Sequence, residues 1–306
     1  MGSGHSHGLP TTSAGKHWRS MVIVLCVALT VLVIEVIGAW ISGSLALLAD
    51  AGHMLTDAAG IGIALIATRL AARPASAQRT YGLQRAEILA ALTNAIILLV
   101  IATFIVAEAV GRFGAEAEVA PVPMLIFGGI GLVANAVSML ILAKGQKESL
   151  NVRGAYLEVL GDLLGSVAVI VAAIVIALTG FVAADSIASL LIAAMIVPRA
   201  WSLLRDVVDV LLESTPRGVD LEKVREHMLS VPGVIDMHDV HAWTITSGVP
   251  VMSAHIVVDA EWLDADGIDQ VLDHLLTCLK GHFEVDHCTF QIEPLAHAEH
   301  ESHVHH

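Results

Sequence analysis

The hydrophobic pattern of the chain changes character near residue 207. Before that point six apolar runs follow one another, at about 21–41, 44–70, 85–113, 122–143, 151–180 and 185–207. Each is long enough for a helix that crosses hydrocarbon, which takes about 20 residues. The first run meets the second directly across Ser42-Gly43-Ser44, which fits a first span better than a cleavable leader. Beyond residue 207 the periodicity is that of a soluble fold. Residues 219–230 read as an amphipathic helix stopped by Pro232-Gly233, and 235–246 and 251–258 as strands joined by a turn at Ser247-Gly248. Residues 267–280 read as a helix and 284–293 as a last strand. The expectation is an α-helical membrane protein, with six transmembrane helices followed by an α+β domain of order α-β-β-α-β. The predicted boundaries are a disordered tail at 1–19, a membrane domain at 20–207, a cytoplasmic domain at 208–296 and a histidine-rich tail at 297–306.

Basic residues assign the sides. Lys16 and Arg19 precede the first run. Arg69, Arg73, Arg79 and Arg85 lie around the second connection, and Lys144, Lys147 and Arg153 around the fourth. Arg199 and Arg205 mark the side on which the sixth ends, and the opposite side offers only Arg112. Positive charge collects on cytoplasmic loops, so the chain is expected as a multi-pass protein of the cell (inner) membrane with both termini cytoplasmic. Composition agrees with a bilayer partner: of 306 residues 56% are hydrophobic and 15% charged, with a mean hydropathy of +0.75. The net charge of −14 excludes nucleic acid, whose backbone demands a basic face. Cys26, Cys278 and Cys288 show no disulfide or CxxC spacing and are read as reduced and structural.

The candidate chemistry lies inside the apolar runs. Asp50, His53 and Asp57 share one face of the second predicted helix, because positions i, i+3 and i+7 nearly eclipse. Glu158 and Asp162 stand one turn apart on the fifth. A charged side chain at mid-membrane costs roughly 2.5–3.5 kcal/mol on insertion scales, so such a stripe needs a compensating partner. Two antiparallel helices, each with an i, i+4 pair, can close His53, Asp57, Glu158 and Asp162 around one cation, with Asp57 level with Glu158 and His53 level with Asp162. One imidazole and three carboxylates suit Zn²⁺, with Co²⁺ or Cd²⁺ as competitors. Gly52, Gly60, Gly62, Gly154, Gly161 and Gly165 would let these helices approach closely. Asp50 and Glu35 are candidates for the transport pathway, and Asn94 and Asn135 for interhelical hydrogen bonds. His5 and His7 form an HxH pair that could capture metal, or simply a solvated tail. In the cytoplasmic domain His238, His255, His287 and Glu293 are candidate ligands for a further metal. Strand alternation is expected to point His238 and His241 to opposite faces, to put His287, Gln291 and Glu293 on one, and to let His238, His255 and Glu293 meet across neighbouring strands.

The segments SLALLADAGHMLTD, YGLQRAEILAALTN, SLNVRGAYLEVLGDLLGS, HDVHAWTITSG, SAHIVV and TFQIE resemble the cation diffusion facilitator family, most closely its bacterial, CzcD-like zinc, cobalt and cadmium exporters. The resemblance covers nearly the whole chain. It implies a homodimer, a metallochaperone-like cytoplasmic domain, and secondary transport that exports divalent metal in exchange for protons by alternating access. His53, Asp57 and Asp162 fall on the family's ligand positions. Glu158 stands where many zinc-selective relatives have histidine, which weakens strict zinc selectivity because oxygen is a harder donor. The loop RPASAQRTYG lacks the Asp/His cluster that some relatives carry there. The alternatives are a membrane-tethered metal sensor and an intramembrane metalloenzyme. Against the enzyme stand the absence of an HExxH pair and a cage whose four positions are all filled by protein, leaving none for water.

Overall fold

A computed structural model describes residues 13–71, 73–113, 118–143, 150–282 and 287–298. His5, His7 and the tail histidines His300, His303, His305 and His306 lie outside the described residues. The residues fall into two compact units, one drawn from 1–65 and 93–204, the other from 66–92 and 205–306.

Long helices dominate the chain up to residue 211. They are α1 (Ser13–Ser42), α2 (Leu45–Ala71), α3 (Ala86–Arg112), α4 (Pro121–Leu142), α5 (Leu150–Thr179) and α6 (Ala183–Leu211). Among the described residues, five of them contain stretches long and apolar enough to cross a membrane. The 27 residues of α2 also have the length of a span. The helices differ from the apolar runs mainly at their ends. α1 starts eight residues before its run and α6 continues four beyond, because helical backbone needs no lipid once it leaves the hydrocarbon.

The first unit packs through small side chains. Ala39, Ala46, Ala49, Ala102, Ala172, Ala173, Ala188, Ala193 and Ala200 are all buried in one cluster with Leu98, Ile105 and Val169. Small residues let helix backbones come close where lipid offers no hydrophobic drive for association. Large apolar residues such as Val33, Leu140, Leu178 and Leu191 point outward, as lipid-facing positions do. Two glycines show how tight the contacts are. A Cβ on Gly165 of α5 would collide with Asp50 of α2, and one on Gly131 of α4 with Glu35 of α1.

The break between α1 and α2 is held by a charge from far along the chain. Gly43 turns with φ of 69°, and the buried N-terminus of α2 then needs acceptors. Asp185 of α6 supplies them: it accepts from Leu45 N at 2.7 Å, Ala46 N at 3.2 Å and Ser44 Oγ at 2.6 Å. A carboxylate there also complements the positive end of the helix dipole. Arg112 donates to Gly43 O at 2.8 Å.

The second unit contains α7 (Leu221–Leu229), β1 (Val234–Thr244), β2 (Pro250–Val258), α8 (Ala265–His282), β3 (His287–Pro294) and a short α9 (Leu295–Ala298). The sheet order is β1-β2-β3, with β1 antiparallel and β2 parallel to β3. Met237, Ala242, Met252, Ala254, Ile256, Val258 and partly buried Cys288, Phe290 and Ile292 form the core face with Val224, Met228, Val271, Leu275 and Leu279. The α2–α3 connection belongs to this unit: Glu87 accepts from Thr246 Oγ1 at 2.6 Å and Arg85 donates to Glu213 at 2.8 Å.

One expectation fails in β1. His238 pairs with His255 and His241 with Ser253, with a register shift between them. Asp239 and Val240 of β1 therefore oppose the single Ala254 of β2, a β-bulge, and Asp239 takes a positive φ of 47°. Positions 253 and 255 share a face, so His238 and His241 share it too. The extra residue cancels the alternation that had separated them.

Candidate metal centre

The membrane site is built from two faces at helical spacing. On α2, His53 Nε2 lies 3.9 Å from Asp57 Oδ2; across to α5 it lies 3.9 Å from Asp162 Oδ1. One donor atom from each of the three lies within 4.8 Å of the others. Ligand atoms in a tetrahedral zinc cage, with bonds of about 2.0–2.1 Å, stand roughly 3.3 Å apart, so a modest closing would complete it. His53 Nδ1, Asp57 Oδ2 and Asp162 Oδ1 are buried without a hydrogen-bond partner. Buried polar atoms are nearly always paired, and a cluster of acceptors left open suits a cation.

Glu158 stands apart from this group. Its Oε1 accepts from Arg199 Nη2 of α6 at 2.6 Å, and Arg199 Nη1 lies 3.6 Å from Asp57 Oδ2. In the sequence Arg199 is only a marker of membrane side. Nothing local could have revealed its reach, since 41 residues separate it from Glu158.

A polar patch lies in the same unit. Glu35 of α1 and Asp50 of α2 are 0% and 1% exposed. Asp50 Oδ2 accepts from Ser166 Oγ of α5 at 3.2 Å, and Asn135 Nδ2 of α4 lies 3.4 Å from that hydroxyl. Both oxygens of Glu35 and one of Asp50 have no hydrogen-bond partner. Asn94 of α3 lies against Gly60 of α2.

In the second unit, His238, His255 and Glu293 form another group with mutually close donor atoms. They come from β1, β2 and β3, on the face away from the core. Glu293 Oε1 lies 2.5 Å from His238 Nε2, and its Oε2 lies 3.9 Å from His255 Nδ1 and 3.8 Å from His297 Nε2. Gln291 Nε2 donates to the same Oε2 at 3.3 Å. His287 does not join them. It pairs with Val251 at the far end of β3 and its ring meets Tyr81 edge-on at 5.9 Å. Same-face parity is preserved over six residues, but that distance along a strand is roughly 20 Å. His297 was read only as part of the tail; its spacing of four from Glu293 across the start of α9 was the available signal.

A bundle of apolar helices with carboxylates and histidine at its heart, joined to a small α+β domain, defines a metal-handling membrane protein. The cation efflux transmembrane domain family matches residues 21–212, and the cation efflux protein cytoplasmic domain family matches 216–295. The chain belongs to the cation efflux, or cation diffusion facilitator, family, and is a multi-pass membrane transporter rather than an enzyme. It is 43% identical to the metal cation efflux system protein CzcD of Cupriavidus metallidurans, over 96% of this chain and 90% of that one. It is 37% identical to the cadmium, cobalt and zinc/H(+)-K(+) antiporter of Bacillus velezensis, over 97% and 93%. A solved metal-bound C-terminal domain of the CzcD transporter matches 24% of this chain and 99% of its own length, at 36% identity and a TM-score of 0.23.

Proposed function

We propose that the protein exports divalent metal cations, Zn²⁺ and also Co²⁺ and Cd²⁺, from the cytoplasm in exchange for protons, by alternating access. His53, Asp57 and Asp162 hold the cargo, and Glu158 completes the cage. The observation that carries this reading is the convergence of three donors from α2 and α5, each with a buried atom lacking a hydrogen-bond partner. The choice of ions and of proton exchange is supported by the similarity to the cadmium, cobalt and zinc/H(+)-K(+) antiporter of Bacillus velezensis. Imidazole and carboxylate bind metal only when deprotonated, so protons and metal compete for the same atoms. That competition converts a proton gradient into metal release on the outer side and metal loading on the inner. Asp50 and Glu35 line the pathway.

In the same reading residues 20–207 form the membrane domain and 208–296 the cytoplasmic one, both termini are cytoplasmic, and the protein works as a homodimer. His238, His255 and Glu293 bind a regulatory metal. The test is Zn²⁺-driven proton movement in proteoliposomes. Wild type acidifies or alkalinises the lumen on metal addition, and Asp57→Ala or Asp162→Ala does not; wild-type flux in both variants would remove the site from the mechanism.

A further inference from the structure

Arg199 follows Pro198 inside α6 and reaches toward the membrane site. Its Nη2 donates to Glu158 Oε1 at 2.6 Å, and its Nη1 lies 3.6 Å from Asp57 Oδ2. That same Asp57 oxygen lies 3.9 Å from His53 Nε2. One guanidinium therefore addresses both a carboxylate of the three-donor cluster and the carboxylate that stands outside it. The fork of a guanidinium matches carboxylate geometry.

We propose that Arg199 is a tethered counter-cation that competes with the metal: it occupies Glu158 and faces Asp57 when the site is empty, and must withdraw before Glu158 can become a ligand. The proposal rests on the transport site named above. A metal in contact with Asp57 Oδ2 and Glu158 would stand beside a second positive charge on the same oxygens, and the two cations repel. The side chains of Arg199 and Glu158 are 45% and 37% exposed, and a pair open to water is individually weak. A weak pair is what this role requires. It can be displaced by a divalent ion, yet its attachment to α6 keeps its local concentration high. Arg199 is then a positioning residue that lowers affinity and speeds release, since the guanidinium recaptures the carboxylate as the metal leaves.

The test uses the full chain in proteoliposomes, with Zn²⁺ buffered at defined free concentrations. Arg199→Gln is expected to lower KM about tenfold, equivalent to about 1.4 kcal/mol, and to lower the maximal rate as well. A loss of structure would not lower KM. Arg199→Lys keeps the charge without the fork and should fall between the two. In a Glu158→Gln background the same change at Arg199 should move KM by roughly threefold or less, the non-additivity expected of groups in contact. If Asp57→Ala is inactive while Arg199→Gln or, should that variant fail to insert, Arg199→Lys keeps or raises the wild-type KM, the tether is wrong and the site survives. If Asp57→Ala transports normally, the site itself falls and the tether falls with it.

Discussion

The protein carries two clusters of the same chemistry, histidine and carboxylate, whose carboxylates differ in how far their hydrogen-bonding capacity is used. Between α2 and α5, Asp57 Oδ2 and Asp162 Oδ1, which face His53 Nε2, have no hydrogen-bond partner, and neither has His53 Nδ1. On the sheet, Glu293 is engaged at both oxygens, by His238 at 2.5 Å and Gln291 at 3.3 Å. Composition does not separate them; the remaining bonding capacity does. An unpartnered buried cluster leaves a free-energy cost of about 1–3 kcal/mol per group that an arriving cation removes. The sheet cluster offers less of this gain, because metal there first has to displace the His238–Glu293 hydrogen bond. In the proposed mechanism the membrane cluster loads and unloads cargo, while the sheet cluster bridges β1 and β3 through the His238–Glu293 hydrogen bond.

The sharpest way to break this contrast is to remove a donor from each side. Asp162→Ala should reduce zinc flux by about a hundredfold, since even a residue that only supports a metal ligand commonly costs about 10–100-fold when removed. The same variant should leave the stability of the cytoplasmic domain unchanged. Glu293→Ala should act the other way. It strands His238, which is 3% exposed, and should destabilise the domain by about 1–3 kcal/mol, measured by urea unfolding of the purified chain, with flux reduced far less than in Asp162→Ala. Equal flux losses in the two variants would erase the distinction.

Much of this was legible in the sequence, and the exceptions share a cause. The six helices follow from run length, because a bilayer imposes one scale on every span. The paired spacings of His53 with Asp57 and of Glu158 with Asp162 follow from helical geometry. What was not legible depends on the third dimension. Arg199 is an ordinary inside-facing charge until α6 packs beside α5 and its side chain reaches Glu158. Asp185 is an ordinary helix-start residue until it caps α2. His287 shares a face with Glu293 but stands at the other end of the strand, and parity alone says nothing of distance. The α2–α3 connection joins the second unit through Glu87 and Thr246, a contact 159 residues apart in sequence. The bulge at Asp239 is the clearest case: one inserted residue reverses the expected faces of His238 and His241, and DVHAW carries no glycine to announce it.

That bulge yields a prediction of intermediate size. Asp239 sits at φ of 47°, a region that costs most L-residues about 1–2 kcal/mol and that Asp tolerates through local hydrogen bonding. Its Oδ2 lies 3.4 Å from His238 Nδ1, so it also orients one member of the sheet cluster. Asp239→Val should destabilise the cytoplasmic domain by about 1–2 kcal/mol in urea unfolding, less than the upper range for Glu293→Ala. Asp239→Gly should be nearly neutral in stability, because glycine adopts this conformation freely, while loosening His238. An equal loss from Val and Gly would mean that the His238 contact, not the backbone, dominates at this position.

The smallest effect belongs to Asp220, the cap of α7. Its side chain accepts from Lys223 N at 3.4 Å, and that backbone hydrogen bond, with the help of the Lys223 side chain, holds its carboxyl below the ordinary range. A depressed carboxyl stabilises the fold only while ionised. Its contribution is complete above the ordinary aspartate range and is lost as pH falls through the lowered value. Asp220→Ala should therefore soften the domain slightly at neutral pH and flatten this one component of its acid unfolding, while zinc flux at neutral pH stays at the wild-type level. Asp220 is exposed on the second unit, so a change in flux that matched Asp162→Ala would show that α7 takes part in transport and would blur the division of labour between the two clusters.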